Sequence, residues 1–151
     1  MTERSVGDRP RMVGVNHVAL EVGDIDAALA FYGAIFDFEL RGRSETMAFI
    51  DMGDQFLALQ LGRKQPGDDG RHFGVVVDDR SKVEELVEAA GGTLLPGRFL
   101  DFLDPWGNRI EVVEYRNIQF TKSPAIMAKL GVDATKTESA IEELRAKGMA
   151  D

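Results

Sequence analysis

His17-Val18-Ala19-Leu20-Glu21-Val22-Gly23-Asp24 and His72-Phe73-Gly74-Val75-Val76-Val77-Asp78-Asp79 decide how this chain is read. Each stretch opens on histidine, carries valine five residues on and aspartate seven residues on, and leads into a helical pattern. The offset between them is 55 residues, and such a fixed interval marks an internal duplication. These are also the only two histidines in the protein.

Working outward from the first stretch, Asp24 suits the N-cap of a helix with Ile25, Ala28, Leu29, Tyr32 and Ile35 on one face. Strand-like runs follow at about 38–43, 46–52 and 54–61, with a turn at Gly53-Asp54. Lys64-Gln65-Pro66-Gly67-Asp68-Asp69-Gly70 reads as a linker. The second stretch, a strand over 72–78, repeats the order. Ser81 and Glu84 spell a capping box, Val83, Leu86, Val87 and Ala90 an apolar stripe, and Gly91-Gly92 a stop. Strands are expected at about 93–95, 98–103 and 109–115, the last two joined by a turn at Asp104-Pro105-Trp106-Gly107-Asn108.

The predicted fold is therefore α+β: two tandem βαβββ modules, 13–62 and 71–116, forming a cupped mixed sheet within a domain over 13–116. Residues 1–12 are expected to be a flexible leader. Residues 117–151 are expected to be a helical extension, opened by a capping box at Thr135 and Glu138 and closed near Gly148. Trp106, on a turn, is expected to be exposed and to meet a partner or this tail.

Bulk properties narrow the function classes. With no cysteine there is no disulfide and no thiolate ligand. A net charge of −8 argues against nucleic acid, which needs clustered Lys and Arg. No apolar run approaches the roughly 20 residues of a membrane span. The leader has no apolar signal-peptide core, so a cytoplasmic location is the expectation.

Strand alternation selects the site. His17, Ala19 and Glu21 share the face turned from the helix, as do Phe56, Ala58 and Gln60, and Glu111, Val113 and Tyr115. Two imidazoles and a carboxylate, His17, His72 and Glu111, suit one divalent ion: Fe(II), Zn, Mn, Ni or Co. Gln60 could add a neutral fourth oxygen. One carboxylate leaves such an ion a formal positive charge, which favours an anionic, bidentate oxygen ligand such as an enediolate. Asp101, between Leu100 and Phe102, points into the same cup and could act there as a general base, with Asp51 a weaker candidate. Phe49, Phe56 and Tyr115 are expected to line the pocket.

At these residues the chain resembles the vicinal oxygen chelate superfamily, which includes glyoxalase I, extradiol dioxygenases, methylmalonyl-CoA epimerases, fosfomycin-resistance transferases and bleomycin-binding proteins. The resemblance lies in Asn16-His17-Val18-Ala19 leading to Phe31-Tyr32, in Arg71-His72-Phe73-Gly74 leading to Asp78-Asp79, and in Phe102–Glu111. It covers roughly residues 13–116. It implies metal ligands at His17, His72 and Glu111, with Gln60 on the strand that usually supplies a fourth, and a homodimer whose sites can draw on both chains. The chain departs from its members in several places. Met47-Ala48-Phe49-Ile50 holds no carboxylate where the epimerases have one, and Gln60 stands where glyoxalase I usually has glutamate. No further histidine remains for a dioxygenase. Ala19 stands where fosfomycin transferases have threonine. The leading expectation is a metal-dependent lyase or isomerase of glyoxalase type acting on a small oxygenated metabolite. The alternatives are a dioxygenase or thiol transferase, and a protein that sequesters a toxic compound without turnover.

Overall fold

A computed structural model describes residues 9–151. The expected leader falls largely outside this range; its last residues, from Arg9, have no regular secondary structure.

The first module runs β1 (His17–Val22), α1 (Ile25–Ile35), β2 (Leu40–Arg43), β3 (Met47–Asp51) and β4 (Phe56–Leu61). The second runs β5 (Phe73–Val77), α2 (Val83–Ala90), β6 (Thr93–Leu94), β7 (Asp101–Leu103) and β8 (Arg109–Glu114). The βαβββ order thus occurs twice. The eight strands form two four-stranded mixed sheets, ordered β1-β4-β3-β2 and β5-β8-β7-β6, each with one parallel pair at its first strand. β1 and β5 are sheet edges.

One face of each sheet is sealed by its helix. Leu20, Val22, Leu57, Leu59, Ala48 and Ile50 are buried with Ile25, Ala28, Tyr32 and Ile35 of α1. In the second module Phe102, Ile110 and Val112 are buried with Val83 and Val87 of α2. The helices pack on each other, and Phe31 and Phe36 meet Phe102 at ring-centroid separations of 6.1 and 6.4 Å. Both modules therefore share one core. Burying a side chain such as Phe102 contributes roughly 1.5–3 kcal/mol. The opposite faces, carrying His17 in one sheet and Glu111 in the other, lie outside that core.

A buried polar cluster joins the modules as well. Asp104 Oδ2 accepts from the Tyr32 hydroxyl (2.7 Å) and from Asn108 Nδ2 (2.8 Å), while Oδ1 accepts the Trp106 and Asn108 backbone N–H groups (both 2.9 Å). Asn108 Nδ2 also donates to the Glu21 carbonyl (3.1 Å), tying the 104–108 turn to β1. Burial, and then the negative charge of Asp104 and its hydrogen bond, push the Tyr32 phenol well above its ordinary pKa.

Several local expectations are corrected. Trp106 is half-buried against the core and not exposed, because Gly23 lets the indole in: a Cβ there would lie 2.7 Å from Nε1. The Ser81–Glu84 capping box does not form. Lys82 is the N-cap of α2 without a side-chain bond, and the Ser81 N–H goes instead to Asp79 (2.8 Å). The segment 64–70 is no loose linker. Asp68 N–H donates to the Gly107 carbonyl (2.7 Å), and Asp68 Oδ1 accepts from Arg71 (2.8 Å). Burial would raise the Asp68 pKa, but the bonds from Arg71 and the Arg109 N–H, with the charges of Arg71 and Arg63, hold it below the ordinary range. Gly107 has φ +87°, and a Cβ there would lie 2.6 Å from Gly67 Cα, so only glycine permits this backbone contact.

Beyond β8, a 3-10 turn (Tyr115–Asn117) leads to α3 (Pro124–Leu130) and α4 (Glu138–Ala146). α3 was not anticipated, although Ser123 caps it, Pro124 opens it and Gly131 closes it in the left-handed conformation. α4 starts from Thr137, whose side chain accepts the Ala140 N–H, not from Thr135. Lys136 fastens the segment: its ammonium donates to the carbonyls of Tyr115, Ile118 and Phe120, each at 2.7 Å, and lies 3.5 Å above the Tyr115 ring. Burial holds its pKa below the usual lysine value. No helix among the described residues is long and apolar enough to cross a membrane.

Candidate metal centre

His17 is the first residue of β1, and its ring stacks on Phe56 at 4.7 Å with 10° between planes, because the β1–β4 register puts the two side by side. Nδ1 lies 2.8 Å from Asn16 Oδ1. An amide oxygen only accepts, so Nδ1–H is the donor of this bond, and Nε2 has no hydrogen-bond partner among the described residues. His72 immediately precedes β5, and its Nδ1 lies 2.8 Å from the Gly70 carbonyl, with the same consequence. An outward Nε2 lone pair with Nδ1–H tied to a fixed oxygen is how metal-binding imidazoles are oriented.

Glu111 is half-buried in the middle of β8, between Gly74 on β5 and Asp101 on β7. It makes no hydrogen bond or ion pair among the described residues. Gly74 leaves space beside it: a Cβ there would reach only to 4.0 Å from Glu111 Oε2. Two imidazoles with Nε2 unengaged and one unengaged carboxylate are a donor set that fits a divalent ion of intermediate hardness.

A single chain does not gather them. Among the described residues no three His, Asp or Glu side chains lie close enough to hold one ion. The reason is the shared core: with α1 packed on α2, the two ligand-bearing faces turn away from each other.

Gln60 lies elsewhere. The register pairs it with Glu21, while His17 pairs with Phe56. Four residues along a strand span about 13 Å, too far for Gln60 and His17 to share one ion. Gln60 is a wall residue of this face, beside Glu21 and Met47.

Phe49 and Phe56 do meet on the His17 face, edge to face at 5.5 Å. Tyr115 is not with them. It is buried under Lys136 and Phe120, bordering a cleft of about 480 Å³ that also touches Asp78, Glu114 and Asp133. Asp51 is on the Phe56 face, its Oδ1 accepting the Gly53 N–H at 3.3 Å.

Asp101 is buried opposite Glu111, and its Oδ2 accepts from Arg109 Nε at 2.8 Å. It is an ion-paired carboxylate through Oδ2, and its other oxygen, Oδ1, is buried without a hydrogen-bond partner among the described residues.

Residues 14–112 match the family described as the Glyoxalase/Bleomycin resistance protein/Dioxygenase superfamily. A metallothiol transferase, FosB, from Bacillus licheniformis is 25% identical over 116 residues, covering 68% of this chain and 75% of the relative. A probable chloroplastic lactoylglutathione lyase from Arabidopsis thaliana is 31% identical over 130 residues, or 71% of this chain but only 36% of that protein. Among solved structures, a mutant of the fosfomycin resistance protein FosX from Listeria monocytogenes, complexed with Mn(II) and 1S,2S-dihydroxypropylphosphonic acid, superposes with a TM-score of 0.59. It has 20% identity and covers 68% of this chain and 90% of that one, a likeness of fold.

Proposed function

The chain belongs to the Glyoxalase/Bleomycin resistance protein/Dioxygenase superfamily, and from that premise we propose a divalent-metal-dependent enzyme whose metal site is completed by a second copy. The relatives named above are enzymes, and the fold is theirs. The observation that carries the proposal is the matched state of the two histidines, each exposed at the start of a sheet-edge strand, with Nδ1 tied to an oxygen and no partner at Nε2 among the described residues.

β1 and β5 present unpaired backbone N–H and C=O groups along one side, which a second chain can satisfy. A twofold axis that sets β1 of one copy beside β5 of the other makes that contact twice. It also brings His17 of one protomer to the face that holds His72 and Glu111 of its partner, and so forms two identical cups. His17 of one copy with His72 and Glu111 of the other would hold a divalent ion, which would supply Lewis acidity toward a substrate oxygen.

The chain's own groups do the rest. Asn16 and Gly70 hold the imidazoles in one tautomer and orientation, and Phe56 keeps the His17 ring upright by stacking. Phe49 and Phe56 give the cup an apolar wall that excludes water from the reacting group. Asp101, locked by Arg109, offers Oδ1 as the acceptor for a proton or hydrogen bond beside Glu111.

The reaction read from this is a lyase or isomerase step of glyoxalase type on a small oxygenated substrate. A second reading, thiol transfer to such a substrate, is supported by the relatives that are metallothiol transferases.

Elemental analysis of protein purified without added metal, with activity assays of both kinds, tests this. The expectation is an ion for every chain in a dimer. No metal at saturating supply of Zn, Ni, Co, Mn or Fe(II) would overturn it, and metal without any turnover would leave sequestration. In the same assays Asp101→Asn is expected to keep the metal and lose turnover by about 10²–10⁴-fold, the usual weight of a positioned general acid or base. Undiminished turnover would remove Asp101 from the mechanism.

A further inference from the structure

A cation stands on the His17 face that neither the metal nor Asp101 accounts for. Arg41 lies in β2, where the pairing with β3 slips: Leu40 opposes Ile50 and Gly42 opposes Phe49, so Arg41 is the extra residue of a β-bulge. A bulge re-aims the side chain it carries. Here it sends the guanidinium across β3 to lie over the Phe56 ring, 4.5 Å from the centroid. His17 stacks on the same ring from β1, on the other side of β4. Phe56 is thus a shared platform, with the imidazole and the guanidinium approaching from opposite sides.

Arg41 is exposed and makes no hydrogen bond or ion pair among the described residues, unlike its neighbour Arg43, which pairs with Asp26. Neither Glu39, two residues before it, nor Asp51 on β3 forms an ion pair with Arg41, and Asp51 Oδ1 accepts the Gly53 N–H instead. The recorded contact of the guanidinium is with the Phe56 ring, and its N–H donors have no protein acceptor among the described residues. That is a fork set for a bidentate oxyanion. Stacking also removes rotamer freedom before any ligand arrives, which lowers the ordering cost of binding.

We propose that Arg41 is a specificity-determining residue that binds an anionic oxygen group of the substrate, a carboxylate or a phosphonate, while another oxygen of the same molecule meets the metal. This rests on the metal reading above and sharpens it. The substrate is then an oxygenated acid, and its charged end lies on the β2 side of the cup.

The test compares wild-type protein with Arg41→Gln and Arg41→Lys, each loaded with Mn(II), by calorimetric titration with inorganic phosphate and with glycolate. Arg41→Gln is expected to weaken at least one anion by about ten- to a hundredfold, the worth of a charge-assisted pair. The preferred anion tells tetrahedral from planar recognition. Arg41→Lys is expected to recover only part of the loss, since it restores charge without the fork. Mn(II) affinity and thermal stability should be unchanged, because the side chain is exposed. Anion affinities of Arg41→Gln within about twofold of wild type would overturn the assignment. If wild-type protein takes up no Mn(II), the metal reading fails by itself. The same titrations on metal-free protein then decide Arg41, with sensitivity to Arg41→Gln supporting the proposal and indifference refuting it.

Discussion

Asp104→Ala is expected to destabilise the protein by about 3–5 kcal/mol, because it strands several buried donors at once. Asp104 is 4% exposed and accepts the Tyr32 hydroxyl, the Trp106 and Asn108 N–H groups and Asn108 Nδ2. For a domain of this size that cost lowers Tm by roughly 10–15 °C. The damage should also reach β1, since Asn108 loses the anchor that aims Nδ2 at the Glu21 carbonyl. Tyr32→Phe is the companion measurement. It removes a single donor, leaves Asp104 Oδ2 its bond from Asn108 Nδ2, keeps the ring in the core, and should cost only about 1 kcal/mol. Urea unfolding of both variants distinguishes a true hub from a set of independent bonds. A cost below about 1 kcal/mol for Asp104→Ala would show that the turn does not join the modules.

The second large effect concerns the metal. Glu111→Ala removes the only carboxylate among the proposed ligands, and with it the charge that offsets a divalent ion. Affinity is expected to fall by more than about a hundredfold, beyond the 10–100-fold typical of losing an outer partner of a ligand. Asn16→Ala should fall within that lesser range, because it frees the His17 ring without removing it. Unchanged metal content in Glu111→Ala would refute the ligand set. Folding should be unaffected, since Glu111 makes no bond among the described residues.

The duplicated histidine stretches were enough to read the tandem βαβββ order, because period-two burial and helical stripes are local signals. Local signals failed where a tertiary contact offered more. Ser81 gave its N–H to Asp79, so the capping box with Glu84 never formed. Trp106 went into the core because Gly23, distant in sequence, left room for it. The 64–70 segment looks like a linker by composition, yet Asp68 and Gly67 bind it to the 104–109 turn.

The site shows the same division. The duplication singled out His17 and His72, and alternation put Glu111 on the sheet face turned from the helix, where the structure has it. The expected role of Gln60 depended on register, which alternation does not give, and the pairing of His17 with Phe56 displaced it. Arg41 was invisible because a bulge, not periodicity, decides where it points. The carbonyl that fixes His72 belongs to Gly70, a backbone atom with no side-chain signature. Nothing in the order of residues says that α1 packs on α2, and that packing is what puts His17 and Glu111 on separate faces of the chain.

A mixing experiment tests the shared site most directly. His17→Ala and His72→Ala homodimers should each lack tight metal binding. Unfolding and refolding them together at equal concentration makes about half the dimers mixed, and each mixed dimer holds one cup with His17 from one chain and His72 and Glu111 from the other. Tight sites should then return to about a quarter of the wild-type number. No recovery in the mixture, with both variants folded and exchanged, would contradict a site built between two copies.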